Sequence, residues 1–255
     1  MMSASKRIFV SSLVLVLSMP LLALAAGNTI NDSFSRAKRM LEREVYFDHR
    51  VTIYCGAQFD EEKRISLPEG FVSPAHAKRA SKVEWEHAVP AENFGRAFAE
   101  WREGDPVCID KKGKSFKGRN CARKASERFR LMEADMYNLF PSIGSVNAVR
   151  SNKQYSELPG TPPSFGICPA KAEGNRFEPP DEAKGQLARA ALYMADSYPE
   201  YRLSRQQRQL FTAWDRMYPV TVWECRRAAR IERLQGNSNQ RVKEPCVGAG
   251  LWEGR

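Results

Sequence analysis

The sequence predicts an α+β fold, a mixed α/β single domain with a helical C-terminal part. Residues 83–86 alternate apolar and acidic side chains, which indicates a short strand, and residues 91–101 then carry apolar side chains at helical spacing. From Asp181 onward the pattern predicts three successive helices. The chain contains no internal repeat and no low-complexity linker, and its length fits one domain or two tightly joined ones.

The N-terminus has the pattern of a secretory signal peptide. Two basic residues precede an uncharged run over residues 8–26, and Ala23-Leu24-Ala25 offers a small-x-small cleavage site. A transmembrane anchor is the alternative, because the run is nearly long enough to span a bilayer. We expect residues 1–25 to be removed, leaving one domain over residues 26–255 with no membrane segment and a periplasmic or secreted location.

The chain is strongly basic. Its formal net charge is +10 at pH 7, and removal of Lys6 and Arg7 with the signal peptide leaves +8. A basic exported protein is expected to meet an anionic partner. Nucleic acid is the first candidate, because the lysines of a glycine-containing loop over residues 104–119 can neutralise phosphates without reading bases. Lipopolysaccharide, heparin-like polymers and acidic cell-wall glycans are alternatives, and a solvated surface explains any single lysine equally well.

Local patterns assign the other elements. We expect helices over residues 35–46 and 126–139, a strand over residues 51–55 and an irregular segment over residues 60–80. In the C-terminal part, capping boxes begin the second and third helices. These boxes are formed by Ser204 with Gln207 and by Thr221 with Glu224.

Glu86 and His87 stand side by side where the predicted strand ends, shortly before Pro90. A carboxylate suits a hard cation such as Mg²⁺, and a neutral imidazole can accept a proton near neutral pH. A metal ligand beside a general base is the combination that metal-assisted hydrolysis uses. A structural role is nevertheless the commoner one for an isolated Glu-His pair. His49 and His76 have no ligand cluster in their neighbourhood and are expected to be exposed.

Five ordered motifs extend this pair. They are WEHAVPAENFG at residues 85–95, MYNLFPSIGSVN at 136–147, LSRQQRQLFTAWD at 203–215, YPVTVWEC at 218–225 and QGNSN at 235–239. Together they resemble the bacterial endonuclease I family of periplasmic and secreted nucleases, which are ββα-metal (His-Me finger) enzymes. The resemblance spans residues 34–246. It implies a ββα-metal core wrapped by the C-terminal helices.

The activity implied by the resemblance is that of a sugar-nonspecific endonuclease. Such an enzyme hydrolyses phosphodiester bonds of single- and double-stranded DNA and of RNA, and leaves 5′-phosphate and 3′-hydroxyl ends. By the same resemblance, His87 activates water, Glu86 binds Mg²⁺ (with Mn²⁺ or Ca²⁺ as substitutes) and Arg119 grips the scissile phosphate. Arg123 is the alternative for the last role. We expect a monomer.

Asn138 and Asn147 both lie in the second motif. On the residues alone, Asn138 is better explained as a helix cap. The resemblance instead implies that Asn138 is the second metal ligand beside Glu86. For Asn147 we expect a structural or supporting role.

Six cysteines in an exported protein predict three disulfide bonds. Six cysteines allow fifteen pairings. We expect Cys55–Cys168, Cys108–Cys121 and Cys225–Cys246, and the second pair is favoured by the short Gly- and Lys-rich loop between its members. A zinc site is the alternative, which the lack of a Cys-x-x-Cys pair in the sequence disfavours.

Two other functions compete with the nuclease. An exported DNA-binding protein without catalysis would keep the basic surface and could dispense with His87 or Glu86. A glycan hydrolase would need two carboxylates around a sugar site, drawn from Glu84, Glu86 and Glu92. No glycosidase pattern supports the second alternative.

Overall fold

The structure is a computed structural model that describes residues 27–253, so the predicted signal peptide lies outside the described residues. The α-helices are α1 (Phe34–Met40), α2 (Ala91–Gly95), α3 (Ala99–Arg102), α4 (Arg119–Ala125), α5 (Glu127–Glu133), α6 (Gly144–Arg150), α7 (Asp181–Ser197), α8 (Arg205–Met217), α9 (Val222–Gln235) and α10 (Gln240–Gly248). The strands are β1 (Gln58–Phe59), β2 (Ile65–Ser66), β3 (Val83–His87), β4 (Leu139–Ile143), β5 (Gln154–Tyr155), β6 (Lys171–Glu173) and β7 (Arg176–Glu178). None of the helices in this part of the chain combines the length and apolarity needed to cross a bilayer.

A strand–strand–helix unit forms the centre of the fold. β3 pairs with β4 in antiparallel fashion, with Glu86 opposite Phe140 and His87 opposite Leu139, and α6 follows β4 without a loop. This direct junction requires a glycine at position 144, because a Cβ there would lie 2.5 Å from the backbone oxygen of Arg79. This ββα unit and the surrounding helices confirm the mixed α/β fold predicted from the sequence.

The C-terminal helices pack on this unit. α7 is largely buried and packs along α8. Arg227 of α9 is buried, and its Nη2 donates hydrogen bonds to the backbone oxygens of Met136 and Leu139 at 2.9 and 2.8 Å. Its guanidinium also lies 4.1 Å from the centroid of the Phe140 ring. The helical part is thereby fastened to β4.

The predicted helix starts in the C-terminal part are confirmed. The Ser204 hydroxyl accepts a hydrogen bond from the N–H of Gln207, and the Thr221 hydroxyl accepts one from the N–H of Glu224. α10 was not predicted, because it contains Pro245, a residue that normally argues against a helix.

The strand predicted over residues 51–55 is wrong. Thr52 Oγ1 instead donates to the backbone oxygen of Tyr54 and accepts from the N–H of Ala57, which closes a turn. Cys55 has a positive φ of 66° within that turn. The residues whose β-branched and aromatic side chains suggested a strand therefore form a turn. This turn brings Cys55 to Cys168.

The helix predicted over residues 126–139 ends at Glu133. Met136 and Leu139 keep helical spacing, but Asp135 ends the helix through side-chain hydrogen bonds. Its carboxylate accepts from the hydroxyls of Tyr193 and Tyr198 at 2.7 and 2.6 Å, and from the N–H of residue 137 at 3.0 Å. The end of this helix is therefore set by tertiary contacts and not by the helical spacing of its apolar residues. The segment predicted as one helix over residues 91–101 is likewise divided, into α2 and α3.

The three expected disulfide bonds are all present. They are Cys55–Cys168, Cys108–Cys121 and Cys225–Cys246. The first ties the turn after α1 to the segment before β6, the second closes the basic loop onto α4, and the third joins α9 to α10. Among the described residues no cysteine is free.

Candidate active site

A cleft with a volume of about 450 Å³ opens where β3 ends. Its polar lining includes Glu86, His87, Arg119, Asn147 and Arg150. β3 supplies the first two, α4 begins with Arg119, and α6 carries the last two. The structure therefore brings together Glu86, His87 and Arg119, as the sequence analysis expected.

His87 is held as a neutral imidazole in one tautomer. The ring is buried, and Nε2 lies 2.9 Å from the backbone oxygen of Glu133. Because a carbonyl oxygen only accepts hydrogen bonds, Nε2 carries the proton and Nδ1 is the basic nitrogen. The ring also packs on Phe34, with 5.0 Å between the centroids. Burial, reinforced by the charge of Arg119, lowers the pKa of His87 to about 4, so the imidazole is uncharged at neutral pH.

The other two histidines lie outside this cleft. His49 is half-buried, not exposed as expected, because its ring stacks on Trp223 with 3.9 Å between the centroids. These two rings line a separate cleft of about 420 Å³. His76 is exposed. His87 is thus the one histidine that faces Glu86 and Arg119 in the part of the chain that the structure describes.

Glu86 is a buried carboxylate with a buried cationic partner. It is 3% exposed, and its Oε1 lies 2.7 Å from Nη1 of Arg150 and accepts a hydrogen bond from the Tyr54 hydroxyl at 3.2 Å. Burial raises the pKa of Glu86 to about 7, although Arg150 opposes that shift. Within residues 27–253 the ion pair and hydrogen bond of this carboxylate both use Oε1, so Oε2 is available to a ligand in the cleft.

Arg119 and Arg123 share the buried carboxylate of Glu133, but of the two only Arg119 lines the cleft. Glu133 accepts a hydrogen bond from Nε of Arg119 at 2.5 Å, and from Nε and Nη2 of Arg123 at 2.7 and 2.6 Å. Burial alone would raise the pKa of Glu133, but the bonds from Arg123 and Arg119 outweigh it and lower the pKa. Nη2 of Arg119 is buried without a hydrogen-bond partner among the described residues. A donor is therefore left for an anion, which favours Arg119 over Arg123.

Asn138 does not reach the cleft. It is fully buried, its Oδ1 accepts a hydrogen bond from the N–H of Val89 at 2.7 Å, and its Nδ2 donates to the oxygen of Val89 at 3.0 Å. Both ends of the amide thus fasten the segment after His87 to the short turn before β4. This arrangement counts against the metal-ligand role expected for Asn138 and favours a structural one.

Asn147 lies in the cleft, where Asn138 was expected. Its Nδ2 donates to Oε2 of Glu84 at 2.8 Å, and Glu84 is held in turn by Nε of Arg79 at 2.7 Å. Because an amide is planar, binding Nδ2 to Glu84 turns the acceptor Oδ1 to the other side. The sequence signal for this residue is the spacing Gly144-x-x-Asn147, which places an amide in the first turn of the helix that follows β4.

Arg150 is a cleft residue that the sequence analysis did not single out. It is 1% exposed, its Nη1 donates to the backbone oxygen of His87 at 2.7 Å, and its guanidinium lies 4.5 Å from the ring centroid of Tyr155. An arginine in the last turn of a helix usually faces solvent and complements the helix dipole. The contact of Arg150 with Glu86 depends on the tertiary fold and could not be predicted from the helix alone.

A family comparison agrees with this geometry. Residues 70–246 match the family model for Endonuclease I. The chain belongs to the Endonuclease I family. The resemblance noted in the sequence motifs is thereby confirmed.

Relatives in the Endonuclease I family cover most of this chain. An extracellular deoxyribonuclease of Aeromonas hydrophila is 40% identical over 221 residues, which is 84% of this chain and 90% of the relative. A periplasmic deoxyribonuclease of the same species is 39% identical over 245 residues, 91% of this chain and 97% of the relative. Endonuclease-1 of Buchnera aphidicola subsp. Acyrthosiphon pisum (strain APS) is 32% identical over 222 residues, 84% of this chain and 82% of the relative.

The donor set of this Endonuclease I chain fits a cation held by few protein atoms. Among the described residues, no group of three or more His, Cys, Asp or Glu side chains could hold a metal ion. Two carboxylates line the cleft, but both oxygens of Glu92 are already bonded, by Arg96 and by Asn152. Glu86 is the carboxylate that remains, and Asn147 of α6 offers an amide oxygen. Mg²⁺ keeps several waters and commonly combines one or two carboxylates with substrate phosphates. A sparse set of this kind therefore suits Mg²⁺ in the presence of nucleic acid.

Proposed function

We propose that the protein is an exported, metal-dependent endonuclease that hydrolyses phosphodiester bonds of DNA and RNA. One observation carries the proposal: a neutral histidine, a carboxylate, an amide oxygen donor and an arginine with an unpartnered Nη2 line the same cleft. The relatives named as deoxyribonucleases support DNA as a substrate. Their names, extracellular and periplasmic, support the location expected from the signal peptide pattern.

His87 acts as the general base. Nε2 keeps its proton because it donates to the backbone oxygen of Glu133, so Nδ1 takes a proton from water, and that water attacks phosphorus. Burial is the main cause of the low pKa of His87, and the charge of Arg119 adds to it. Phosphate binding at Arg119 would offset the second of these two effects. Substrate would thus strengthen the base.

Arg119 stabilises the phosphate as negative charge grows on it. Its Nε is anchored on Glu133, which fixes the guanidinium plane and leaves Nη2 to donate to a phosphate oxygen. Donors that are positioned before the reaction starts are worth most in a site of low dielectric. Arg123 supports this by occupying the other oxygen of Glu133.

Glu86 and Asn147 would hold the divalent cation, Mg²⁺ in the first instance and Mn²⁺ or Ca²⁺ as substitutes. A bound Mg²⁺ would polarise a phosphate oxygen and stabilise the leaving oxygen. Arg150 and Tyr54 fix Oε1 of Glu86, and Glu84 fixes the amide of Asn147. The protein contributes two oriented oxygen donors.

The products would carry 5′-phosphate and 3′-hydroxyl ends. Because the contacts proposed here go to phosphate, little sequence preference is expected, and both single- and double-stranded DNA are substrates together with RNA. We expect the enzyme to act as a monomer.

Cleavage of supercoiled plasmid and of total RNA by the oxidised protein tests this function. With Mg²⁺, both substrates should be degraded, and EDTA should abolish both reactions. The DNA fragments should be joined by ligase without prior kinase treatment, because their ends carry 5′-phosphate. Degradation of DNA alone would restrict the substrate class. Binding of DNA without cleavage in any divalent metal would support the DNA-binding alternative.

Arg119 and Arg123 both bind Glu133, so variants of the two make a matched pair for testing which arginine contacts the phosphate. Arg119→Met should lower kcat for plasmid cleavage by about 10²–10³-fold, because it removes the donor that faces the cleft. Arg123→Met should cost much less, since Glu133 keeps its bond from Arg119. Single-turnover rates at saturating Mg²⁺ separate the two variants. A larger loss in Arg123→Met would show that Arg123 contacts the phosphate.

A further inference from the structure

A basic hairpin, defined as residues 104–118, directly precedes Arg119 of the cleft. Ile109 forms a bridge with Ser115, and the N–H of Phe116 donates to the oxygen of Cys108 at 2.9 Å. The disulfide bond from Cys108 to Cys121 closes the hairpin onto α4. The hairpin is therefore fastened at its base.

The lysines of the basic hairpin are not neutralised by the protein. Four lysines stand within residues 111–117, and all four are exposed. None of them forms a salt bridge within residues 27–253, whereas exposed arginines such as Arg64 and Arg96 do. The local acid Asp110 is used by the backbone, because its Oδ1 accepts from the N–H groups of Lys112 and Lys114 at 2.8 and 3.0 Å. The hairpin tip thus presents uncompensated positive charge in a held conformation.

The base of the hairpin is also the wall of the cleft. The N–H of Gly118 donates to the oxygen of Trp101 at 3.0 Å, and Trp101 lines the cleft. The next residue is Arg119. Lys112 is six positions before Gly118, which corresponds to a reach of at most about 20 Å at roughly 3.3 Å per residue. The tip and the cleft are therefore within the span of one bound nucleic acid.

We infer that the basic hairpin is a second nucleic-acid contact, which binds backbone phosphates outside the cleft. Successive phosphates of one strand advance by about 3.4 Å along the duplex axis. A reach of at most about 20 Å thus places these phosphates within roughly six base pairs of the cleft. Lysine contacts of this kind add affinity and salt dependence without sequence preference. The inference rests on the proposed function, because it assumes that nucleic acid occupies the cleft.

The test measures binding of nucleic acid under conditions that prevent cleavage. A triple variant, Lys111→Gln with Lys112→Gln and Lys114→Gln, is compared with the wild type in EDTA by fluorescence anisotropy over a range of salt concentrations. The matched control removes three exposed cations that form no salt bridge within the described residues, by Arg205→Gln with Arg216→Gln and Arg233→Gln. The probes are a 24-base-pair duplex and a single-stranded tetranucleotide.

On the duplex, the slope of log K against log salt should fall by roughly 2 to 3 in the hairpin variant, because each lost phosphate contact removes about 0.9. On the tetranucleotide the affinity should not change, since that probe is too short to leave the cleft. An equal fall in the control variant would assign the effect to net charge and overturn the inference, as would an unchanged slope in the hairpin variant. Cleavage by the wild type is measured separately, so failure of the proposed nuclease function would be seen independently of the hairpin result.

Discussion

His87→Ala is expected to lower the rate of DNA cleavage by about 10²–10⁴-fold, the usual contribution of a positioned general base. The reason is local, because His87 supplies the one imidazole in the cleft among the described residues, with Nδ1 free of the bond that fixes Nε2. DNA binding should persist, since Arg119 and the basic surface are untouched. Single-turnover cleavage of plasmid with Mg²⁺ measures the rate, and anisotropy in EDTA measures binding.

His49→Ala is the matched control for that experiment. It also removes a partly buried ring, but one that stacks on Trp223 in the separate cleft. Cleavage by this variant should stay close to that of the wild type. Full activity in His87→Ala would exclude His87 as the base, and a loss of DNA binding together with cleavage would point to a folding defect.

Local pattern was enough to find β3 and the pair at its end. Alternation over residues 83–86 and the stop at Pro90 describe an extended segment whatever packs around it. Which face of the strand is inside was not predictable, because a glutamate is expected to face solvent. Glu86 is buried because Arg150 and Tyr54 approach its carboxylate from distant parts of the chain.

β4 could not be predicted from the local sequence, for a different reason. Pro141 lies in the middle of that strand, opposite Trp85, and a proline inside a run normally argues against a strand. The structure tolerates it because the backbone of Pro141 faces away from β3, as its oxygen accepts a hydrogen bond from the N–H of Ile53 at 2.8 Å. The missing N–H therefore costs no bond between β3 and β4, the two strands of this sheet. The apolar spacing of residues 129–139 then suggested a helix through the start of β4. Only the bonds to Asp135 from two tyrosines of α7 and the following loop show where that helix must end.

The two asparagines of the second motif show most clearly which roles could not be predicted from the sequence. Asn138 and Asn147 are nine positions apart, and each has the same donor and acceptor atoms. Their roles depend on which atoms the fold has already used. Val89 takes both ends of the Asn138 amide, whereas Glu84 takes only the nitrogen of Asn147. A sequence motif contains both residues and does not record this difference.

Asn147→Ala and Asn138→Ala should therefore fail in different ways. Asn147→Ala should lower the cleavage rate by about 10²-fold or more and raise the Mg²⁺ concentration needed for half-maximal rate, because it removes an oxygen donor from the cleft. Its free energy of unfolding should change little. Asn138→Ala leaves the buried N–H and oxygen of Val89 without partners, which should lower the free energy of unfolding by about 2–4 kcal/mol.

Urea denaturation and Mg²⁺ titration of the cleavage rate, run on both variants, separate these outcomes. At 10 °C, with most molecules folded, Asn138→Ala should keep the Mg²⁺ dependence of the wild type, because its amide does not line the cleft. The opposite pattern, a stable Asn138→Ala that has lost its response to Mg²⁺ beside an active Asn147→Ala, would return the ligand role to Asn138. Since the amide of Asn138 already bonds Val89 through both ends, such a result would require the segment after His87 to rearrange when the cation binds.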